Sequence, residues 1–137
     1  SIDLVRQMAP HQYAFIELKV AGGDNPLYAS FELLSYTLAY LHARRRNWQG
    51  RGQHNVMEAQ AVNLIVLGPG DWYKYKKRGT RSQSYKFKLG WLAMALADGL
   101  DFLTDETPQI QFSYKEFTDL GATKLTAKKI VDDAREW

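Results

Sequence analysis

The chain contains no cysteine, which excludes disulfide bonds, thiolate zinc sites and cysteine nucleophiles and fits a reducing, cytoplasmic location. Its apolar runs all fall short of the about 20 residues with which a helix crosses a membrane. No positively charged start followed by an apolar segment marks a secretory signal. The three histidines, His11, His42 and His54, are scattered and lack the spacing of zinc ligands. We therefore expect neither a membrane partner nor a histidine-based zinc site.

What the sequence does contain is the composition of an ordinary globular protein. Apolar residues make up 45% and charged residues 24% of the 137 positions, which favours one domain over residues 1–137. The net charge of +3 is compatible with a polyanionic partner but does not require one. Because the chain opens at Ser1 without an initiator methionine, we expect it to be a trimmed piece of a longer protein.

Hydrophobic periodicity and turn residues predict a mixed α/β fold. Two strands joined by a short polar turn suggest an antiparallel hairpin. Pro26 opens a helix on which Leu27, Phe31, Leu34 and Leu38 share one face, and a later apolar run ends at a Gly-Pro-Gly turn, as in a central strand covered on both sides. The predicted elements are strands 2–6, 13–20, 61–67 and 109–117, and helices from 26, over 87–103 and over 123–137. Their order predicts a mixed central sheet flanked by helices.

A pair of opposite charges lies inside the second predicted strand. Glu17 and Lys19 are two residues apart, so in a strand they point to the same side. The neighbouring hairpin strand can bring Asp3 beside Glu17. Two close carboxylates repel each other, and a divalent cation relieves that repulsion. The same pattern also fits a glutamate and a lysine on the solvated face of an edge strand.

The order of these residues resembles the PD-(D/E)XK nuclease superfamily. Asp3 is followed by Glu17-Leu18-Lys19 and then by a helix that carries Glu32 and Tyr36. RecB-like members of the superfamily place a Q-h-x-x-Y motif on that helix; Tyr36 matches it, whereas Glu32 stands where the glutamine would be. Asp3 follows isoleucine rather than proline. The resemblance covers residues 2–42.

The resemblance implies a restriction-endonuclease-like core that lacks the usual N-terminal helix and strand. It implies that Asp3, Glu17 and the carbonyl of Leu18 hold Mg²⁺ or Mn²⁺, that Lys19 is the catalytic lysine, and that Glu32 and Tyr36 lie beside them. The implied activity is metal-dependent hydrolysis of DNA phosphodiesters. The usual N-terminal helix and strand are missing, and Glu32 stands in place of the glutamine of the motif. An alternative is therefore a non-catalytic nucleic-acid-binding or assembly module that keeps a degenerate nuclease fold.

A basic and aromatic segment is the second functional candidate. Lysine and arginine can contact phosphates, and aromatic rings can stack on exposed bases. The predicted nucleic-acid-binding residues are Trp72, Lys74, Tyr75, Lys76, Lys77, Arg78 and Arg81. The alternative is a solvated hairpin whose rings pack inward. Two further expectations stay open: a small-ligand pocket among the aromatic residues, and a homodimer through an exposed sheet edge at Ile2.

Overall fold

The computed structural model of the chain describes residues 2–19, 25–46, 55–76, 84–86, 89–103 and 108–117. The strands are β1 (Leu4–Ala9), β2 (Gln12–Leu18), β3 (Ala61–Pro69), β4 (Lys74–Lys76), β5 (Ser84–Lys86) and β6 (Gln109–Phe117), and the helices are α1 (Pro26–Arg45) and α2 (Gly90–Leu103). Short 3₁₀ turns span Asn55–Glu58 and Gly70–Tyr73. The predicted helix over 123–137 lies outside the described residues.

Four strands form one mixed sheet in the order β1-β2-β3-β6, and β4 pairs with β5 separately. β1 and β2 are antiparallel, as the hairpin prediction requires, whereas β2, β3 and β6 are parallel. The mixed α/β sheet with helices is therefore confirmed. β3 is the central strand, and its residues from Leu64 to Leu67 are buried on both sides, as its unbroken apolar sequence predicts.

Both described helices pack on the same face of the sheet. Leu33 of α1 and Leu100 of α2 join one buried cluster with Phe15 of β2 and Val62 of β3. The strand residues that alternate with these point to the other face of the sheet, where they form a second buried cluster around Ile16. Parallel strands need a crossover between them, and each helix supplies one. Neither described helix combines the length and apolarity needed to span a membrane.

The start of α1 follows from its local sequence. Asn25 accepts a hydrogen bond on its Oδ1 from the backbone N–H of Tyr28 at 2.9 Å, which satisfies one of the free donors at the helix start. Pro26 occupies the first turn, where its missing N–H is no loss. The predicted start of this helix is confirmed.

The face that α1 turns to the sheet differs from the most obvious apolar stripe. Its buried residues include Ala29, Ser30 and Thr37, whereas Leu27 and Phe31 are exposed. Small side chains let the helix lie close to the strands, and the hydroxyls of Ser30 and Thr37 are satisfied by carbonyls one turn back. A 3.6-residue period identifies a stripe but not the surface that covers it.

The turn after β3 folds back onto the sheet. The Tyr73 hydroxyl lies 2.8 Å from the carbonyl oxygen of Val66 and 2.9 Å from that of Lys115, so it bridges β3 and β6. The Trp72 ring packs edge-on against Tyr73, with the ring centroids 5.0 Å apart. It also lies directly over Gly68, where a Cβ would come within 2.6 Å of the indole.

We predict that Gly68→Ala lowers the free energy of unfolding by about 1–3 kcal/mol, because the added methyl overpacks against Trp72. The matched control is Gly99→Ala, since Gly99 lies inside α2 with no atom near the new methyl. There the better helix propensity of alanine should raise stability by about 0.5–1 kcal/mol. Urea unfolding of both variants measures the difference. Equal effects of the two substitutions would contradict the packing described here.

Candidate functional site

Glu17 lies near the end of β2 on the face that the helices cover. Only 4% of the residue is exposed. Lys19 follows one residue after the strand ends, and its Nζ lies 2.8 Å from Glu17 Oε1. The two charges therefore share one side, as their spacing predicts. The solvated-strand alternative does not describe Glu17, because its carboxylate is buried.

Lys19 also reaches α1. Its Nζ lies 2.6 Å from Glu32 Oε2, so the ammonium is held between two carboxylates from different elements. The Lys19 side chain is 15% exposed and that of Glu32 is 29% exposed. Glu32 lies on the flank of α1 opposite to the apolar stripe, which is why a glutamate is tolerated on this helix. The predicted place of Glu32 beside the Glu17-Lys19 pair agrees with this geometry.

Asp3 joins the same cluster through the hairpin. β1 and β2 pair with Leu4 opposite Ile16, and continuing that register by one residue brings Asp3 opposite Glu17. The Asp3 Oδ2 accepts a hydrogen bond of 2.9 Å from the backbone N–H of Leu18. The structure thus gathers Asp3, Glu17 and Lys19, which lie up to 16 positions apart in the sequence.

Among the described residues, the cluster contains more acidic than basic groups. Asp3, Glu17 and Glu32 can carry three negative charges, whereas Lys19 contributes one positive charge. Glu17 Oε2 is buried and has no hydrogen-bond partner among the described residues. Burial raises the pKa of Glu17 above its ordinary value of 4.5, and the hydrogen bond from Lys19 opposes that rise only in part. The nearby charge of Asp3 raises it further.

Lys19 is fixed in its charged form. Burial disfavours an ammonium, but the hydrogen bonds to Glu17 and Glu32 outweigh burial and hold the pKa of Lys19 above its ordinary value. A lysine in this state donates hydrogen bonds and neutralises negative charge. It does not accept a proton near neutral pH.

Tyr36 and Leu18 are the other two residues of the predicted site. Tyr36 is half-buried on α1, one helical turn beyond Glu32, and makes no hydrogen bond to the described members of the cluster. After Leu18, β2 stays paired with β3, because the Lys19 N–H donates to the carbonyl oxygen of Leu67 at 2.8 Å. Among the described residues, no three histidine or acidic side chains converge closely enough to form a ready-made metal site.

The basic and aromatic segment is only partly described. Lys77, Arg78 and Arg81 lie outside the described residues, and for Lys74, Tyr75 and Lys76 the backbone alone is placed, in β4. Trp72 is half-buried and packs against the main apolar cluster. Inward packing of this kind is what we expect of the rings of a solvated hairpin. Nucleic-acid binding by this group stays a prediction.

The register of the sheet aligns Tyr114 of β6 with the cluster, and no short sequence pattern indicates this alignment. Glu17, Val66 and Tyr114 lie in one row across β2, β3 and β6. The hydroxyls of Tyr114 and Ser30 are 2.6 Å apart, and Ser30 donates to the carbonyl oxygen of Pro26, so Tyr114 must donate to Ser30. A cavity of about 340 Å³ opens between α2 and β6, lined by Tyr73, Leu89, Gly90, Ala93, Phe112, Ser113, Tyr114 and Glu116.

Comparison with known proteins gives no family assignment. No protein-family model, no curated protein and no solved structure matches the chain. The functional interpretation therefore depends on the geometry and chemistry of the cluster itself.

We predict that Lys19→Met lowers the free energy of unfolding at pH 7 by about 3 kcal/mol, because it leaves Glu17 buried without its counter-ion. The loss should shrink as the pH falls toward the raised pKa of Glu17, since the protonated carboxyl is favoured in the folded protein. Adding Glu17→Gln to Lys19→Met should recover most of the stability.

The matched control is Lys115→Met, a lysine on β6 outside the cluster. Its effect on chemical denaturation should stay within about 0.5 kcal/mol. If Lys19→Met is no more harmful than Lys115→Met at pH 7, the ion pairs of Lys19 do not stabilise the fold as described.

Proposed function

We propose that this chain is a divalent-metal-dependent, nuclease-like domain that hydrolyses DNA phosphodiesters and belongs to the PD-(D/E)XK superfamily. One observation carries the proposal: among the described residues, Glu17 Oε2 is buried without a hydrogen-bond partner, and the cluster around it contains two more carboxylates than amines. A buried carboxylate oxygen without a hydrogen bond is unfavourable unless something uses it. Two uncompensated negative charges match the charge of one Mg²⁺ or Mn²⁺ ion.

The donor set fits such an ion. Carboxylate and carbonyl oxygens are the ligands that Mg²⁺ and Mn²⁺ prefer, and the residues that would hold it are Asp3, Glu17 and, through its carbonyl, Leu18. A bound cation would supply Lewis-acid polarisation of the phosphodiester and acidify the attacking water. Glu17 would lose part of its contact with Lys19 on binding the ion, since one carboxylate would then serve two cations.

The positive charge of Lys19 indicates its role in the proposed reaction. As a protonated donor it would hydrogen-bond a phosphate oxygen and stabilise the negative charge that develops there. Glu32 acts through Lys19 and is a positioning residue, because its carboxylate keeps the ammonium at the mouth of the cluster. A glutamine at this position would hold Lys19 without a full charge.

That the substrate is DNA is part of the same proposal. The basic segment from Trp72 to Arg81 is the predicted surface of the protein that contacts the DNA. A cytoplasmic location is part of the proposal too. The alternative is a non-catalytic nucleic-acid-binding or assembly module. Two observations favour it: Lys19 pairs with Glu17 Oε1, and the described acidic groups do not form a ready-made metal site.

We predict that Mn²⁺ raises the melting temperature of the protein and that Glu17→Gln and Asp3→Asn abolish the shift. An ion at one hundred times its dissociation constant stabilises the fold by about 2.7 kcal/mol. The matched control is Glu58→Gln, because Glu58 is an exposed glutamate in a 3₁₀ turn away from the cluster, and it should keep the full shift.

Incubation of the same four proteins with plasmid and single-stranded DNA separates catalysis from binding. The parent and Glu58→Gln should cut in Mg²⁺ or Mn²⁺ but not in EDTA, and Glu17→Gln should not cut. DNA binding that weakens with salt, without cleavage, would favour the binding module. A Mn²⁺ shift that survives in Glu17→Gln would place the ion elsewhere and contradict the site.

We predict that Mn²⁺ affinity falls on acidification with a midpoint above pH 4.5, because Glu17 must be ionised to hold the ion and its pKa is raised. Glu32→Gln should move this midpoint to lower pH, since the charge of Glu32 contributes to the rise. Calorimetric titration at several pH values measures both midpoints. A midpoint that Glu32→Gln leaves unchanged would mean that Glu17 is not the titrating ligand.

A further inference from the structure

The outer surface of the helix layer is unusually apolar. On α1, Leu27, Phe31 and Leu38 are 45%, 56% and 41% exposed. On α2, the exposed fractions are 68% for Trp91, 69% for Met94 and 86% for Phe102. We call these six residues the helix-layer surface.

The two halves of the helix-layer surface lie on helices that cover the same face of the sheet. Ser30 of α1 contacts Tyr114 of β6, whereas Glu32 contacts Lys19 beyond the end of β2, so the flank of α1 that carries Ser30 points along the sheet toward β6. On a helical wheel, Leu27 lies nearer to that flank than to Glu32, whereas Phe31 lies about 100° from both Ser30 and Glu32 and points outward. α2 packs on β6 through Ala93, Leu96 and Leu100. Leu27 therefore lies on the side of α1 toward the groove between the helices, and Phe31 lies on its outer surface.

The area is larger than a monomer ordinarily leaves open. An aromatic side chain presents about 150–250 Å², and the helix-layer surface contains three aromatic rings exposed by half or more together with three aliphatic side chains. The sum is of the order of 700 Å², whereas the largest apolar patch of a typical monomer is about 300–600 Å². A standard interface buries about 800 Å² on each partner.

The charges at one end of this layer are self-complementary. α1 ends beside the start of β3, because Arg44 donates to the carbonyl oxygen of Ala59, and α2 ends beside the start of β6, because Asp101 accepts from the N–H of Ile110. The two helices are therefore parallel, with both C-termini at the same end. Exposed basic residues lie at the end of α1, among them Arg46, and the exposed Asp98 lies in the second half of α2.

We propose that the helix-layer surface is the interface of a symmetric homodimer of this chain, with its two-fold axis parallel to the helices. Such an axis places α1 of one protomer over α2 of its partner, running in the same direction. It covers the six apolar side chains of both copies and brings Arg46 of each protomer toward Asp98 of the other, as an isologous contact requires. An axis across the helices would instead pair α1 with α1 and α2 with α2 in antiparallel orientation, which would leave Arg46 away from Asp98 of the partner protomer.

Sedimentation velocity of the full chain, over low to high micromolar concentration, tests the dimer. The parent should sediment as a dimer, and Phe31→Glu and Trp91→Glu should each weaken dimerisation by tenfold or more, since a buried charge without a partner opposes association. The matched control is Gln111→Glu, an exposed residue of β6 on the opposite face of the sheet, and it should leave the dimer intact. Circular dichroism checks that each variant folds.

A charge exchange tests the direction of the axis. Asp98→Arg should weaken the dimer about three- to tenfold, and adding Arg46→Asp should restore it. A parent that is monomeric at all concentrations overturns the proposal. The helix-layer surface would then be covered by a partner protein, a lipid surface or another part of the chain. A dimer insensitive to Phe31→Glu and Trp91→Glu also overturns it, and a dimer whose charge exchange is not restored overturns the parallel axis.

Discussion

The ammonium group of Lys19 is the interaction on which the functional end of this molecule depends. It joins the end of β2 to α1 by donating to two carboxylates at once, those of Glu17 and Glu32. Without it, the hairpin and the helix would each present a negative charge to the other across a poorly hydrated space. Among the described residues, the lysine offsets only part of that charge, and this incomplete compensation distinguishes the cluster from a structural salt bridge.

The parallel sheet explains why the cluster forms where it does. β2, β3 and β6 all end at the same edge, and the crossover helices return above one face, so the residues just beyond β2 meet the first turns of α1. The hairpin adds Asp3 by antiparallel pairing. Three sequence segments thus supply the four side chains of the cluster, with Glu17 and Lys19 coming from the same segment, and no single local pattern specifies their meeting.

Much of this arrangement could be predicted from residue patterns. Alternation placed Glu17 and Lys19 on one side of a strand, and Gln109–Phe117 and the start of α1 agree with the predicted elements. Periodicity indicated the apolar stripe of α1 but could not say that the small residues Ala29, Ser30 and Thr37 face the sheet instead. The row that aligns Glu17 with Tyr114 depends on strand register, which is set by three-dimensional packing and not by any short motif.

The central claim is that Glu17 and Asp3 together hold a divalent cation. Anomalous diffraction from crystals grown or soaked with Mn²⁺ tests it most directly, because it locates the ion without reference to activity. We expect one manganese peak within ligand distance of the Glu17 and Asp3 carboxylates, with Lys19 moved away from Glu17 Oε1. A cluster that keeps its Lys19 ion pairs and binds no manganese, while the ion is present at saturating concentration, would contradict the account.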